Sequence, residues 1–174
     1  MIPLADGFDE MEAFTILYIL RKAGVNIETV GITGSQVSSS SGVKVSTDKR
    51  LIDIGAEEYE GVIVPGGIPA FINLSRTAKF IEILKRLDEK GKLIAAISTG
   101  PAVLAKAGLL DKRKATIYPG LERELVYPRP DKIVRDMNIL TCQSPADVLE
   151  FALTIVERIQ GKPTVAKIKK ELVM

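Results

Sequence analysis

Apolar runs of about four to six residues alternate along the chain with stretches whose apolar positions recur every three or four residues. Runs of the first kind read as buried strands and stretches of the second kind as helices, and their alternation predicts an α/β chain with a largely parallel sheet. "MIPLA" is the first strand. Asp9 is placed to cap a helix carrying Phe14, Leu17, Leu20 and Ala23 on one face and ended by Gly24. "NIETVGI" reads as the second strand, "SQVSSSSG" as a surface loop, and "VKVST" and "RLIDI" as short strands or extended segments. "GVIVPGG" is a buried strand that ends on Pro65-Gly66-Gly67. A helix is predicted from about Thr77 to Lys90, with Phe80, Ile81, Leu84 and Leu87 facing inward. "KLIAAIS" is the next buried strand and residues 99–108 the helix after it. "ATIYP" reads as a strand, and "KIVRD" and "NILTC" as a strand pair joined by a tight turn at Met137-Asn138. Ser144 or Pro145 opens the helix "ADVLEFALTIVERIQ", stopped by Gly161, and "TVAKIKKELV" forms a last helix. With no internal repeat and no linker composition, residues 1–174 are expected to form one domain.

In a doubly wound sheet, ligands bind beyond the carboxyl ends of the strands. Three features of this chain converge there: the segment Asp6 to Glu12, the Gly66-Gly67 pair, and Ser98. Ser98 has Ala96 two residues before it and Gly100 two after. Small residues at those positions let a strand and a helix approach closely around a sharp turn, which is how a nucleophile is presented at the top of a sheet. The plainer reading of Ser98 is a helix N-cap. For Gly66 and Gly67 the plainer reading is a turn, and the functional one a backbone N–H held out as an oxyanion donor. Glu12 falls in the first turn of a helix, where a carboxylate is ordinary. Cys142 reads as a small buried hydrophobe, Tyr118 as a half-buried aromatic before Pro119, and Lys167 to Lys170 as a solvated helix face.

Composition narrows the chemistry. The chain contains no histidine and one cysteine, which excludes a Ser-His-Asp triad, a Cys-His pair, a histidine-ligated metal and a thiolate zinc site within the chain. No metal or cofactor is expected. The single cysteine fits a reducing cytoplasm. A net charge of +2 gives no case for nucleic acid, no apolar run is long enough to span a bilayer, and the acidic N-terminal flank is unlike a signal peptide. Asparagine and glutamine number three each among many Lys, Glu and Ile, a thermophile-like balance.

The segments "PLADGFDEMEAF", "GVIVPGG", "LIAAISTGPAVLAKAGLL", "ATIYPGLE" and "LTCQSPADVLEFALTIVE" occur in the order seen in the ThiJ/PfpI family. The resemblance covers nearly the whole chain and implies a flavodoxin-like sandwich, usually dimeric, with the first helix in the dimer interface. It implies a reactive residue at position 98, occupied by cysteine in the family and by serine here. It assigns Glu12 as its hydrogen-bond partner, the amides of Gly67 and Thr99 as oxyanion donors, and Tyr118 beside the nucleophile. Gly66 and Gly100 shape the pocket. Gln143 and Pro145 match the following loop, although Ser144 and Ala146 replace its usual glycines.

By that resemblance the lineage is a cytoplasmic, cofactor-free α-oxoaldehyde hydratase or protein deglycase, with small carbonyl compounds or glycated groups as ligands. A non-catalytic binding or chaperone-like stress protein and an intracellular peptidase are the other readings. Two departures bear on them. A serine hydroxyl is far less acidic than a thiol and needs a base, which no histidine supplies, so activity is expected to be silenced or weak. Relatives also carry several more residues at the start of strand one, so the first strand reads as truncated.

Overall fold

In the computed structural model, residues 1–174 are described, apart from the side chain of Ala56. β1 (Ile2–Leu4) pairs in parallel with β2 (Thr29–Gly31), and β2 with β5 (Lys49–Arg50). β6 (Gly61–Val64), β7 (Leu93–Ile97) and β11 (Ile139–Cys142) form a second parallel ladder, edged by antiparallel β10 (Ile133–Asp136). The two ladders meet at β1 and β6, where the Ile63 N–H donates to the Met1 carbonyl at 2.9 Å. β6, β7 and β11 are buried almost throughout, as parallel strands covered on both faces must be.

Helix α1 (Glu10–Lys22) packs on α5 (Val148–Gln160), which packs on α6 (Lys162–Glu171). A second group joins α2 (Ala70–Arg76) to α3 (Ala78–Glu89) and α4 (Gly100–Lys106). This is a flavodoxin-like α/β fold. Among the described residues no helix is long and apolar enough to cross a membrane.

Several predicted elements shift. The serine-rich loop is in part a strand: β3 (Gln36–Ser38) pairs with β4 (Lys44–Ser46), and only the hairpin tip is irregular. "RLIDI" is not extended throughout, since β5 gives way to a 3₁₀ turn over Leu51–Asp53. Helix α2 follows the Pro-Gly-rich segment after β6 and lacked a sequence signal. The helix over 77–90 is α3, capped at Thr77, with Ile83 fully inside and Ile81 only partly. "ATIYP" is regular only at β8 (Lys114–Ala115), paired with β9 (Tyr127–Pro128). The turn at Met137 is as expected, with Met137 at φ 54°.

Candidate functional site

Ser98 lies between β7 and α4 with φ 58°, a left-handed conformation that costs a side-chain-bearing residue energy unless its surroundings impose it. They do so by hydrogen bonds on both sides. The Ser98 N–H donates to the Cys142 carbonyl at 2.9 Å, and the Ser98 carbonyl accepts from the Tyr118 N–H at 3.0 Å. Ser98 is therefore an elbow and not a helix cap. The cap position belongs to Thr99, whose Oγ1 instead accepts the Gly67 N–H at 3.1 Å.

Two glycines make the elbow fit. A Cβ on Gly100 would come within 2.5 Å of the Val64 carbonyl oxygen. A Cβ on Gly66 would lie 3.0 Å from both Ser98 Cβ and Glu12 Oε2 and 2.9 Å from Thr99 Oγ1. Real side chains do not reach such separations without moving their neighbours, so β6 and the elbow touch because position 66 has no side chain.

Glu12 is brought to the same place by α1, capped by Asp9, whose Oδ1 accepts the Glu12 N–H at 3.0 Å. Its side chain is fully buried. Oε2 accepts the Gly66 N–H at 2.6 Å, whereas Oε1 has no hydrogen-bond partner among the described residues. Burial raises the Glu12 pKa from 4.5 to about 8, opposed by the Gly66 bond, aided by the negative charge of Asp9, and lowered least by the nearby Ser98 hydroxyl. At neutral pH the carboxyl is mostly protonated, which relieves the cost of an unpaired buried charge.

The expected residues thus converge. Glu12 was expected to bond the Ser98 hydroxyl; that hydroxyl lies close enough to lower the Glu12 pKa by hydrogen bonding, and the carboxylate also accepts the Gly66 N–H at 2.6 Å. One detail changes. Gly67 was expected to offer a free N–H, but that N–H is taken by Thr99 Oγ1. The Thr99 N–H donates to no protein acceptor among the described residues.

Tyr118 reaches the site through its backbone, and its ring is half exposed. Gln143 is half-buried and donates its N–H to the Lys132 carbonyl at 2.8 Å. Pro145 begins a 3₁₀ turn capped by Ser144. Cys142 is fully buried beside the elbow, and burial pushes its thiol up to about 11. The role of the Thr99 hydroxyl had no sequence signal, because it depends on contact with a loop 32 residues away.

This combination of a strand–elbow–helix turn, a buried glutamate from the first helix and a diglycine after β6 can be set beside known proteins. Residues 1–158 match the DJ-1/PfpI family. The chain belongs to the DJ-1/PfpI family. It is 31% identical to Drosophila melanogaster protein DJ-1beta over 179 residues, covering 100% of this chain and 96% of the relative. It is 32% identical to the Danio rerio Parkinson disease protein 7 homolog over 181 residues, at the same coverage of 100% and 96%. The crystal structure of D. melanogaster DJ-1beta superposes with a TM-score of 0.95, covering 99% of this chain and 96% of that one. Oxidized Toxoplasma gondii DJ-1, 32% identical, superposes at 0.94 over 99% and 96%. The chain is a DJ-1-like protein, and within the family it carries Ser98 at the elbow.

Proposed function

We propose that this chain descends from a cofactor-free α-oxoaldehyde hydratase or deglycase of the DJ-1 type, and that Ser98 leaves it silent or weakly active. The observation that carries the reading is the elbow itself. Ser98 is held at positive φ beside a buried Glu12 whose pKa burial raises to about 8, an arrangement that supports a built reactive site.

In this reading position 98 supplies the nucleophile and Glu12 the proton. A nucleophile at 98 attacks the aldehyde carbon of an α-oxoaldehyde. Glu12, protonated near neutrality, hands its proton to the carbonyl oxygen as charge develops there. The Thr99 N–H is the donor to that oxygen, and the Gly67 N–H joins it when Thr99 Oγ1 turns away. Glu12, now ionised, takes the C1 proton of the adduct to give an enediol and returns it to C2, so that C1 is oxidised to an acyl group on position 98 while the neighbouring ketone is reduced to an alcohol; water then hydrolyses the acyl bond, releasing the hydroxy acid and the nucleophile. With serine, Glu12 holds a proton and cannot accept one, so the hydroxyl stays neutral and the first step stalls.

A second reading is a binding or chaperone-like stress protein that keeps the pocket without the reaction. The intact geometry around a poor nucleophile favours it for the chain as it stands. Peptidase action is disfavoured because an identical subunit has no histidine to lend. We take the protein to be a cytoplasmic, single-domain homodimer joined through α1, where Tyr18 and Met11 are exposed. Methylglyoxal turnover by the chain and by its Ser98→Cys variant, with Ser98→Cys/Glu12→Ala as control, tests the reading.

A further inference from the structure

Thr99 stands at the N-cap position of α4, where a threonine oxygen ordinarily accepts an N–H of its own helix. Here it makes no such bond. Pro101 has no N–H to offer, and the Ala102 N–H goes to the Thr99 carbonyl at 3.1 Å. The hydroxyl is thereby left for the Gly67 N–H, which it accepts at 3.1 Å across 32 residues of sequence.

That amide is fixed in place. The carbonyl of the same peptide, on Gly66, accepts the Asp9 N–H at 3.0 Å, and the Gly67 carbonyl accepts the Phe71 N–H at 3.2 Å. Gly67 sits at φ 114°, and a Cβ there would collide with the Gly7 carbonyl oxygen and the Asp9 nitrogen, so the loop is pressed against residues 7–9. The Thr99 hydroxyl, by contrast, moves by rotation about one bond. Its oxygen lies 2.9 Å from the place a Gly66 Cβ would occupy, a point 3.0 Å from both Ser98 Cβ and Glu12 Oε2. Thr99 Oγ1, Ser98 and Glu12 therefore border one small space, and beside it the hydroxyl fills the acceptor place on the Gly67 amide.

We propose that Thr99 is a positioning residue that reserves the Gly67 N–H for an oxygen carrying negative charge. The inference rests on the reading above for the reaction and adds how its second donor is withheld and released. A threonine hydroxyl and a ketone or aldehyde oxygen are both neutral acceptors, so exchanging one for the other gains little, and Thr99 keeps the amide when a neutral ligand arrives. An oxyanion accepts a charge-assisted bond roughly twice as strong and displaces the hydroxyl. The donor is thus supplied to the transition state and not to bound substrate, which raises kcat without lowering KM.

The binding test keeps Ser98, so it does not depend on turnover. Hydroxyacetone (a neutral ketone) or acetate (an oxyanion) is added at pH 6.5, where Glu12 holds its proton, and the Gly67 amide shift and the Thr99 χ1 couplings are followed. Acetate should change both. Hydroxyacetone should perturb Ser98 and leave both as they are. Thr99→Val keeps the side chain's shape without its acceptor and opens the Gly67 N–H to any oxygen, so hydroxyacetone should bind roughly fivefold more tightly. Thr99→Ser should restore the parent's behaviour. Acetate that leaves Gly67 and Thr99 unmoved, or hydroxyacetone that displaces Thr99 as acetate does, would overturn the proposal on the parent protein alone. Unchanged or weaker hydroxyacetone binding by a folded Thr99→Val protein would overturn it as well. In the Ser98→Cys background, Thr99→Val should lower KM for methylglyoxal roughly fivefold at nearly constant kcat. Turnover by Ser98→Cys with no discrimination between the probes removes the role of Thr99 and leaves the functional reading standing. Discrimination without turnover does the reverse.

Discussion

The Gly66 N–H donates to Glu12 Oε2 at 2.6 Å, joining the first helix to the loop after β6 across 54 residues of sequence. Burial outweighs this bond and the smaller effect of the Ser98 hydroxyl, leaving the pKa raised to about 8.

A pH dependence of stability follows from that balance. Between about pH 4.5 and 8 the folded protein keeps a proton on Glu12 that the unfolded chain has released. Stability therefore falls as pH rises through this window, by on the order of a few kcal/mol from this group. Glu12→Gln keeps an acceptor for Gly66 and removes the titration. Urea unfolding at pH 5.5 and pH 8.5 should show the variant gaining relative to the parent at the higher pH. Parallel curves for the two proteins would mean that Glu12 does not titrate in this range.

Gly66→Ala isolates the close packing of the elbow. The added methyl meets Ser98, Thr99 and Glu12 at 3.0 Å or less, so β6 or the elbow must shift. The expected cost is about 1–3 kcal/mol, read as a lower midpoint in thermal unfolding, with loss of the Glu12-dependent pH slope. An unchanged midpoint would show that the loop moves aside freely and does not hold the site.

The α1 surface is expected to be a dimer interface. Tyr18 is 56% and Met11 51% exposed, and Phe14, Leu149, Leu172 and Met174 line an open apolar cleft beside Tyr18. Sedimentation at micromolar concentration should give a dimer that Tyr18→Glu dissociates. A monomeric parent protein would leave this face without its proposed role.

A cysteine introduced at position 98 should be the first thiol oxidised by dilute peroxide. It would stand at an elbow with the Thr99 N–H nearby, whereas Cys142 is enclosed and its thiol pKa is raised to about 11. Peptide mass mapping reads the order directly, and earlier oxidation of Cys142 would show that the elbow does not activate a thiol.

How far the sequence carried depended on how local each feature was. The elbow was legible because Ala96, Ser98 and Gly100 stand within five residues, and close strand–helix packing demands that pattern. The Asp9 cap and the turn at Met137 were equally local. Of the β3–β4 hairpin, β4 was legible as the extended "VKVST", whereas β3 was not, since it lies in a polar, serine-rich run and is held by pairing rather than by burial. Helix α2 lay behind a Pro-Gly segment that reads as loop. The Gly66 bond to Glu12 and the Thr99 bond to Gly67 had no sequence signal, because each joins segments that only the completed sheet brings together.

The most direct test of the account is lactate formation from methylglyoxal by the parent chain, by Ser98→Cys, and by Ser98→Cys/Glu12→Ala. If the elbow is an α-oxoaldehyde site lacking only its nucleophile, Ser98→Cys should exceed the parent by at least roughly 10²-fold, and removing Glu12 should return most of that gain. A Ser98→Cys protein that folds, oxidises at position 98 and still shows no turnover above the parent would contradict the account and leave a binding protein in its place.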